Sequence, residues 1–330
     1  MSVPGGLARF ARRSDGVIRW FTVRLGSMAV AMLGVATAVF TLVHLIPGDP
    51  VRKSLGTRFN QELYDAKRAE AGLDRPLAEQ FVRWLGGAVR GDLGVSFRSD
   101  RAVTGLVLER LPATLSLAGG ALALALVIAV PIGVLSAVRS GSKLDYAATT
   151  ASQVGVSVPD FWAGIMYILL FALTLGWLPP SGYTSPFEDP VDWLRHLALP
   201  ALTVGLVSGS ILTRFVRSAV LEALNQDYVR TATAKGLSRW QIVLRHVLPN
   251  AAIPIVTVVG LQLGFLLGGV VVVEVIFAWP GIGRLALTAV QDRDYTVLQG
   301  SVLYLALTFL VVNLLVDIAY AVLDPRASLR

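Results

Sequence analysis

The order of apolar and polar positions divides the chain into long uncharged runs separated by shorter charged segments. A helix crossing about 30 Å of hydrocarbon at about 1.5 Å per residue needs about 20 apolar residues, and runs of that size recur. Leu25 to Gly48 carries only His44 as a possible charge, and Leu111 to Val138 is rich in Ala, Leu and Val. Tyr146 to Leu178 is interrupted by Asp160 alone, directly after a proline, Pro159, that predicts a kink. Leu197 to Thr213 is shorter and stops at Arg214, Pro249 to Val273 closes at Glu274, and Tyr295 to Val316 leads through Asp317 to Leu323. Six transmembrane helices are predicted. The first has the basic flank of a secretory signal, but its apolar stretch exceeds the usual 7–15 or so residues and no small-x-small cleavage site follows it. It is read as an uncleaved span.

The segments between the runs set the organisation. Residues 1–24 form an N-terminal segment, 25–46 the first span, 47–110 a helical insertion, 111–323 a core with the other five spans, and 324–330 a C-terminal tail. Within the insertion, Asn60–Ala71 and Pro76–Arg90 read as two short helices, the first stopped by Gly72. Leu77, Phe81, Trp84 and Leu85 recur at helical spacing and predict an apolar face packed on the membrane domain. Trp279-Pro-Gly-Ile-Gly-Arg284 is a breaker-rich turn before a short apolar piece, Leu285–Val290, that ends at Asp292-Arg-Asp294. It reads as a re-entrant or interfacial helix, since irregular backbone at membrane depth must be buried in protein or line water.

Composition removes the soluble alternatives. The 330 residues are 54% hydrophobic and 15% charged, against about 25% charged for a soluble domain. The chain has no cysteine and three histidines, which excludes a disulfide framework and a thiolate metal site. A net charge of +7 in such a chain reflects basic loops on one side of the bilayer, not nucleic-acid binding. With the N-terminus inside, the inner segments 1–24, 139–145, 214–248 and 324–330 hold fifteen Lys and Arg, against three in the outer segments 177–195 and 276–294. Both termini are therefore expected in the cytoplasm of a multi-pass protein of a cell membrane.

The most informative inner segment lies within 219–248. Ala223–Lys235 can form a helix capped by Gly236, and Ser238 can cap a second that runs to Leu248, with Pro249 at the return to the membrane. A helix–Gly–helix unit bearing small and basic side chains suits a groove on another protein. Its wording, Asp227-Tyr-Val-Arg-Thr-Ala-Thr-Ala-Lys-Gly-Leu-Ser238 with Leu248-Pro249 beyond, resembles the signature loop of binding-protein-dependent ABC importer permeases, in the peptide and nickel branch. His44-Leu-Ile-Pro-Gly-Asp-Pro50, Gly91-Asp-Leu-Gly94, Glu109-Arg-Leu-Pro-Ala-Thr114, Glu274–Gly281 and Asn313–Asp317 carry the resemblance along nearly the whole chain.

That resemblance implies an all-α integral membrane protein with the type I ABC importer permease fold and an extracellular helical insertion after the first span. It implies partners: a second homologous permease, two cytoplasmic ATPases and an extracytoplasmic substrate-binding protein. Asp227, Tyr228, Arg230, Thr231, Ala232, Lys235, Gly236, Leu237, Leu248 and Pro249 would form the ATPase-docking loop. The chain would bind no cofactor, ATP and Mg²⁺ belonging to the ATPases; it has no Gly-x-x-x-x-Gly-Lys-Ser/Thr loop to cradle a nucleotide. Cargo in the branch spans dipeptides, oligopeptides, glutathione-like peptides and nickel chelates.

Polar groups inside apolar runs are the pathway candidates, because charge in a bilayer is costly. Asp160, Gln262 and Glu274 are named on that ground, with hydrogen bonding to the re-entrant turn as the plainer reading of Glu274 and interhelical hydrogen bonding as that of Gln262. Asp160 departs from the family pattern, which has a small or apolar residue there, and Asp317 is expected to pair with Arg214 or Arg326. Two other classes fit the sequence less well. An ion-coupled secondary transporter would show internal repeats with broken helices in both halves, and none is visible. An intramembrane protease needs a paired intramembrane Ser and His or two facing Asp; His44, His196 and His246 fall at span ends, and Asp160 and Asp317 lack the flanking signatures.

Overall fold

The computed structural model describes residues 5–45, 48–55 and 59–323; the tail 324–330, with Arg326, and the Ile46-Pro47 step lie outside them. The described residues are helices and turns plus one isolated antiparallel bridge, Val95 with Ala102. Five helical stretches are long and apolar enough to cross a bilayer: 19–45, 103–138, 190–224, 239–268 and 295–318. The remaining predicted run is a pair of helices, 143–157 and 160–174, bent by 99°, which makes a sixth crossing if the two count as one span. Pro159 thus breaks the third span instead of merely kinking it: a proline has no N–H to donate and clashes with the preceding turn.

The chain forms two compact units, residues 1–110 with 285–330, and residues 111–284. In the first, α1 (Gly5–Leu45) packs along α14 (Tyr295–Leu323). Arg24 of α1 and Asp317 of α14 form an ion pair. This corrects the expected pairing of Asp317 with Arg214, which donates instead to Gln153. Asp49 caps α2 (Pro50–Leu55) by accepting the Val51 N–H at 2.9 Å and the Arg52 N–H at 3.1 Å. Tyr64 of α3 (Gln61–Glu70) donates its hydroxyl to the same carboxylate. The two insertion helices form where expected, α3 capped by the Asn60 side chain and α4 (Leu77–Val89) entered at Pro76. Phe81 and Trp84 of α4 face Phe40 of α1, with ring centroids 5.2 and 5.9 Å away. The loop after α4 is stapled to the start of α14: Ser96 donates to Asp294 at 2.5 Å and Arg98 to Asp292 at 2.9 Å. Gly300 lets α14 approach, since a Cβ there would lie 2.5 Å from Val103.

The second unit is organised on α8 (Pro190–Leu224), which Asp189 caps through the Val191 and Asp192 N–H groups. This helix extends well beyond the apolar run 197–213, because its polar ends need no bilayer to be helical. It packs on α5 (Val103–Val138) at small residues. A Cβ on Gly133 would lie 2.8 Å from Val216, and one on Gly205 2.9 Å from the Ala121 carbonyl. Close approach through small residues is the usual basis of helix association in lipid.

Candidate functional site

The loop after α8 is a second, shorter helix set on the end of the 111–284 unit. Helix α8 runs on to Leu224; Asn225 and Gln226 turn the chain, and α9 runs Asp227–Ala234, starting later than the expected Ala223–Lys235 helix. Its C-terminus is a left-handed turn. Gly236 has φ +79°, its N–H reaches the Thr233 carbonyl at 2.9 Å, and the Leu237 N–H reaches the Ala232 carbonyl at 3.3 Å. Those two bonds satisfy carbonyls that the helix end would leave unpaired, in the pattern that glycine favours. Ser238 then opens α10 (Arg239–Ile242) with a reciprocal capping box to Gln241. A π-helical stretch, Val243–Val247, leads into α11 (Leu248–Gly269) just before Pro249, whose missing N–H leaves a gap in the helical ladder.

The loop is anchored by its apolar side. Ala232, Ile242, Val243 and Val247 are buried with Val134, Val138, Val216, Val220 and Ala251 in one cluster. Ala232 is therefore part of the chain's own core and not of an outward docking face, a correction to its expected role. Tyr228, Leu237 and Leu248 are half-buried. Asp227, Arg230, Thr231, Lys235, Gly236 and Pro249 are exposed. No side or main chain lies within 4 Å of the place a Gly236 Cβ would take.

Two buried polar groupings support this end and the opposite part of the unit, and the sequence pattern pointed to neither in full. Asp145 opens α6 (Lys143–Ser157) and is almost completely buried. Arg217 of α8 grips it with two bonds, at 2.6 and 2.8 Å; Ser136 and the Gly141 N–H donate to it as well. Arg239 of α10 donates to the Val138 carbonyl at the end of α5. The turn between α5 and α6 is thus held from α8 and from the loop together. Asp145 three residues after Ser142 was a helix-start signal, but nothing local could name Arg217 as its partner.

Glu274 is fully buried on α12 (Val271–Ile276) and bonds to the turn that follows, the reading set beside its pathway role. It accepts the Thr114 hydroxyl at 2.9 Å and the Arg284 N–H at 2.8 Å. Thr114 in turn accepts the Ile282 N–H at 2.9 Å, and Trp279 donates to the Ala113 carbonyl at 2.8 Å. These bonds fix the 277–284 turn before α13 (Ile282–Asp292). Gln262 of α11 is buried, and its side-chain nitrogen has no partner among the described residues. Asp160 starts α7 (Asp160–Tyr167), half-buried. No hydrogen bond joins the three pathway candidates to one another. Among the described residues no group of His, Asp or Glu could hold a metal ion.

The comparisons with known proteins agree with this architecture. Residues 129–329 match the family "Binding-protein-dependent transport system inner membrane component", and residues 17–118 its N-terminal companion. The dipeptide transport system permease protein of Escherichia coli (strain K12) is 39% identical over 334 residues, covering 94% of this chain and 98% of that protein. A peptide permease protein named in Brucella suis biovar 1 is 43% identical over 300 residues, covering 89% of this chain and 94% of that protein. An inward-facing structure of the MetNI methionine ABC transporter superimposes with a TM-score of 0.56 at 21% identity, over 66% of this chain and 96% of that chain. That last likeness bears on the fold. The chain belongs to the family of binding-protein-dependent transport system inner membrane components.

Proposed function

We propose that this chain is one permease of an ATP-driven peptide importer and that residues 225–249 form its docking loop for a cytoplasmic ATPase. The peptide cargo rests on the names carried by relatives that align over nearly the full chain. The docking role rests on one observation: a short helix and a left-handed Gly236 turn stand exposed while their apolar side is bound into the end of α5, α8 and α11. Such a unit passes displacement of α9 to three membrane helices through packed side chains. A partner would meet Asp227, Arg230, Thr231, Lys235 and Gly236. In this reading the complete transporter holds a second permease, two ATPases that carry ATP and Mg²⁺, and an external binding protein. Both termini and the loop face the cytoplasm, as the distribution of Lys and Arg implies.

The test uses the assembled transporter in vesicles with its binding protein. Gly236 stands in open space at a φ that other residues adopt at a cost of about 1 kcal/mol, which a well-packed helix pair tolerates. Gly236→Trp should therefore insert and fold, yet keep the ATPase from seating. Peptide uptake should fall at least about tenfold, a loss of roughly 1.4 kcal/mol in coupling, with less ATPase retained on the membranes. Uptake at the unaltered rate, with the variant present in normal amount, overturns the docking assignment.

A further inference from the structure

Among the described residues the carboxylate of Asp160 has no counter-charge. No Lys, Arg or His occurs between Lys143 and Arg195, and no hydrogen bond or ion pair ends on the side chain among the described residues. The residue stands at the 99° break in the third span, half-buried. Its position on α7 decides which way it points. Residues 160, 163, 164 and 167 share one helical face. On that face Ala163 and Gly164 are buried, and a Cβ on Gly164 would lie 3.2 Å from Phe277 of the segment after α12 and 3.4 Å from Thr203 of α8. The opposite face carries Phe161, Trp162 and Ile165, which are 52%, 51% and 43% exposed. Asp160 is therefore on the inward side of α7, turned from the apolar face that suits lipid.

A half-buried carboxyl without a protein partner is either protonated or held ionised by water or a cationic solute. We infer that Asp160 is a cation-recognition site on the translocation path, at the break between α6 and α7, and that it takes the ammonium group of the peptide cargo. The inference rests on the peptide reading above and adds a residue to it. An ammonium is the group that every unmodified peptide presents whatever its side chains, so one carboxylate would serve a mixed set of cargoes. Asp160 binds in this scheme; it performs no chemistry.

The natural absence of cysteine gives a direct test in the complete transporter. Asp160→Cys should react with a water-soluble cationic thiol reagent, and a dipeptide delivered by the binding protein should slow that reaction. Asp160→Asn, equal in shape, should lower dialanine uptake about tenfold, the worth of one charge-assisted hydrogen bond. Asp160→Glu should restore at least half of it. A cysteine that stays unreactive through the ATP cycle overturns the proposal, as does Asp160→Asn uptake equal to the natural chain. Loss of the second permease from purified Asp160→Asn complexes also overturns it, by assigning the carboxylate to a contact between permeases. If the natural transporter takes up no peptide at all, the peptide reading fails, whereas reagent access at position 160 still judges the site.

Discussion

Glu274 holds the 277–284 turn by accepting from Thr114 and from the Arg284 main chain with no exposed surface of its own. Gly281 is required beside it, because a Cβ there would fall 1.8 Å from the Glu274 Oε1. Gly281→Ala should cost about 1–3 kcal/mol as overpacking. Glu274→Ala should cost a similar amount by orphaning buried donors, about 1–3 kcal/mol each. Both should lower the melting midpoint of the detergent-solubilised chain, and an unchanged midpoint for Gly281→Ala would disprove the crowding. Asp49 gives a pH-dependent counterpart outside the spans. Burial alone would raise its pKa, but the Tyr64 hydroxyl, the Arg52 and Val51 N–H groups and the Arg68 charge together hold it below the ordinary 3.8. A depressed pKa means stability that is full above the ordinary carboxylate range and lost as pH falls through the lowered value. Protease protection of the 48–110 insertion should therefore persist to below about pH 4. Tyr64→Phe should move its loss to higher pH. Coincident titrations for the two chains would show that the hydroxyl contributes nothing.

The elements show what pattern can and cannot carry. Five of the six apolar runs became helices long enough to span, since a bilayer demands length and apolarity and little else, and the third run became the pair bent at Pro159. The insertion helices were legible from Asn60, Gly72 and Pro76, all of which act locally. Helix limits were less so. The extent of α8 beyond 197–213 and its stop at Leu224 depend on Asp189, Asn225 and Gln226, which carry no apolar signal. Ala232 was named as a docking residue through the resemblance of its loop to the family signature, whereas it is buried in one cluster with Val138, Val220 and Val247. The Asp145–Arg217 pair joins residues 72 apart, beyond any local motif. It ties α6 to α8, and breaking a buried pair from one side costs about 3–5 kcal/mol. Asp145→Asn and Arg217→Met should each destabilise strongly, and the double variant should lose much less than the sum. Additive losses in a thermal-unfolding cycle would mean that the two side chains do not act as a pair.

At the scale of the whole molecule, family membership gives a multi-pass membrane component, and the charge pattern carries the proposed direction in the membrane. Short loops rich in Lys and Arg stay on the cytoplasmic side during insertion, because moving them across is unfavourable. Fifteen such residues in the segments assigned inside, against three in the short segments assigned outside, are the ground for proposing both termini and the 225–249 loop in the cytoplasm. The Gly236 loop can meet an ATPase only there, so the orientation and the docking proposal stand or fall together. Single cysteines read the orientation without background, since the natural chain has none. Ser99→Cys in the insertion and Phe187→Cys before α8 are exposed positions. Both should be blocked in intact cells by a thiol reagent that cannot cross the membrane. Thr233→Cys on the exposed side of α9 should stay free until the membrane is opened with detergent, and then react fully. Blocking of Thr233→Cys in intact cells, with Ser99→Cys protected, would invert the topology and remove the loop from the reach of any ATP-hydrolysing partner. A mixed result, with all three blocked, would place an odd number of crossings between residues 187 and 233 in doubt and would point to α8 as the helix that fails to span.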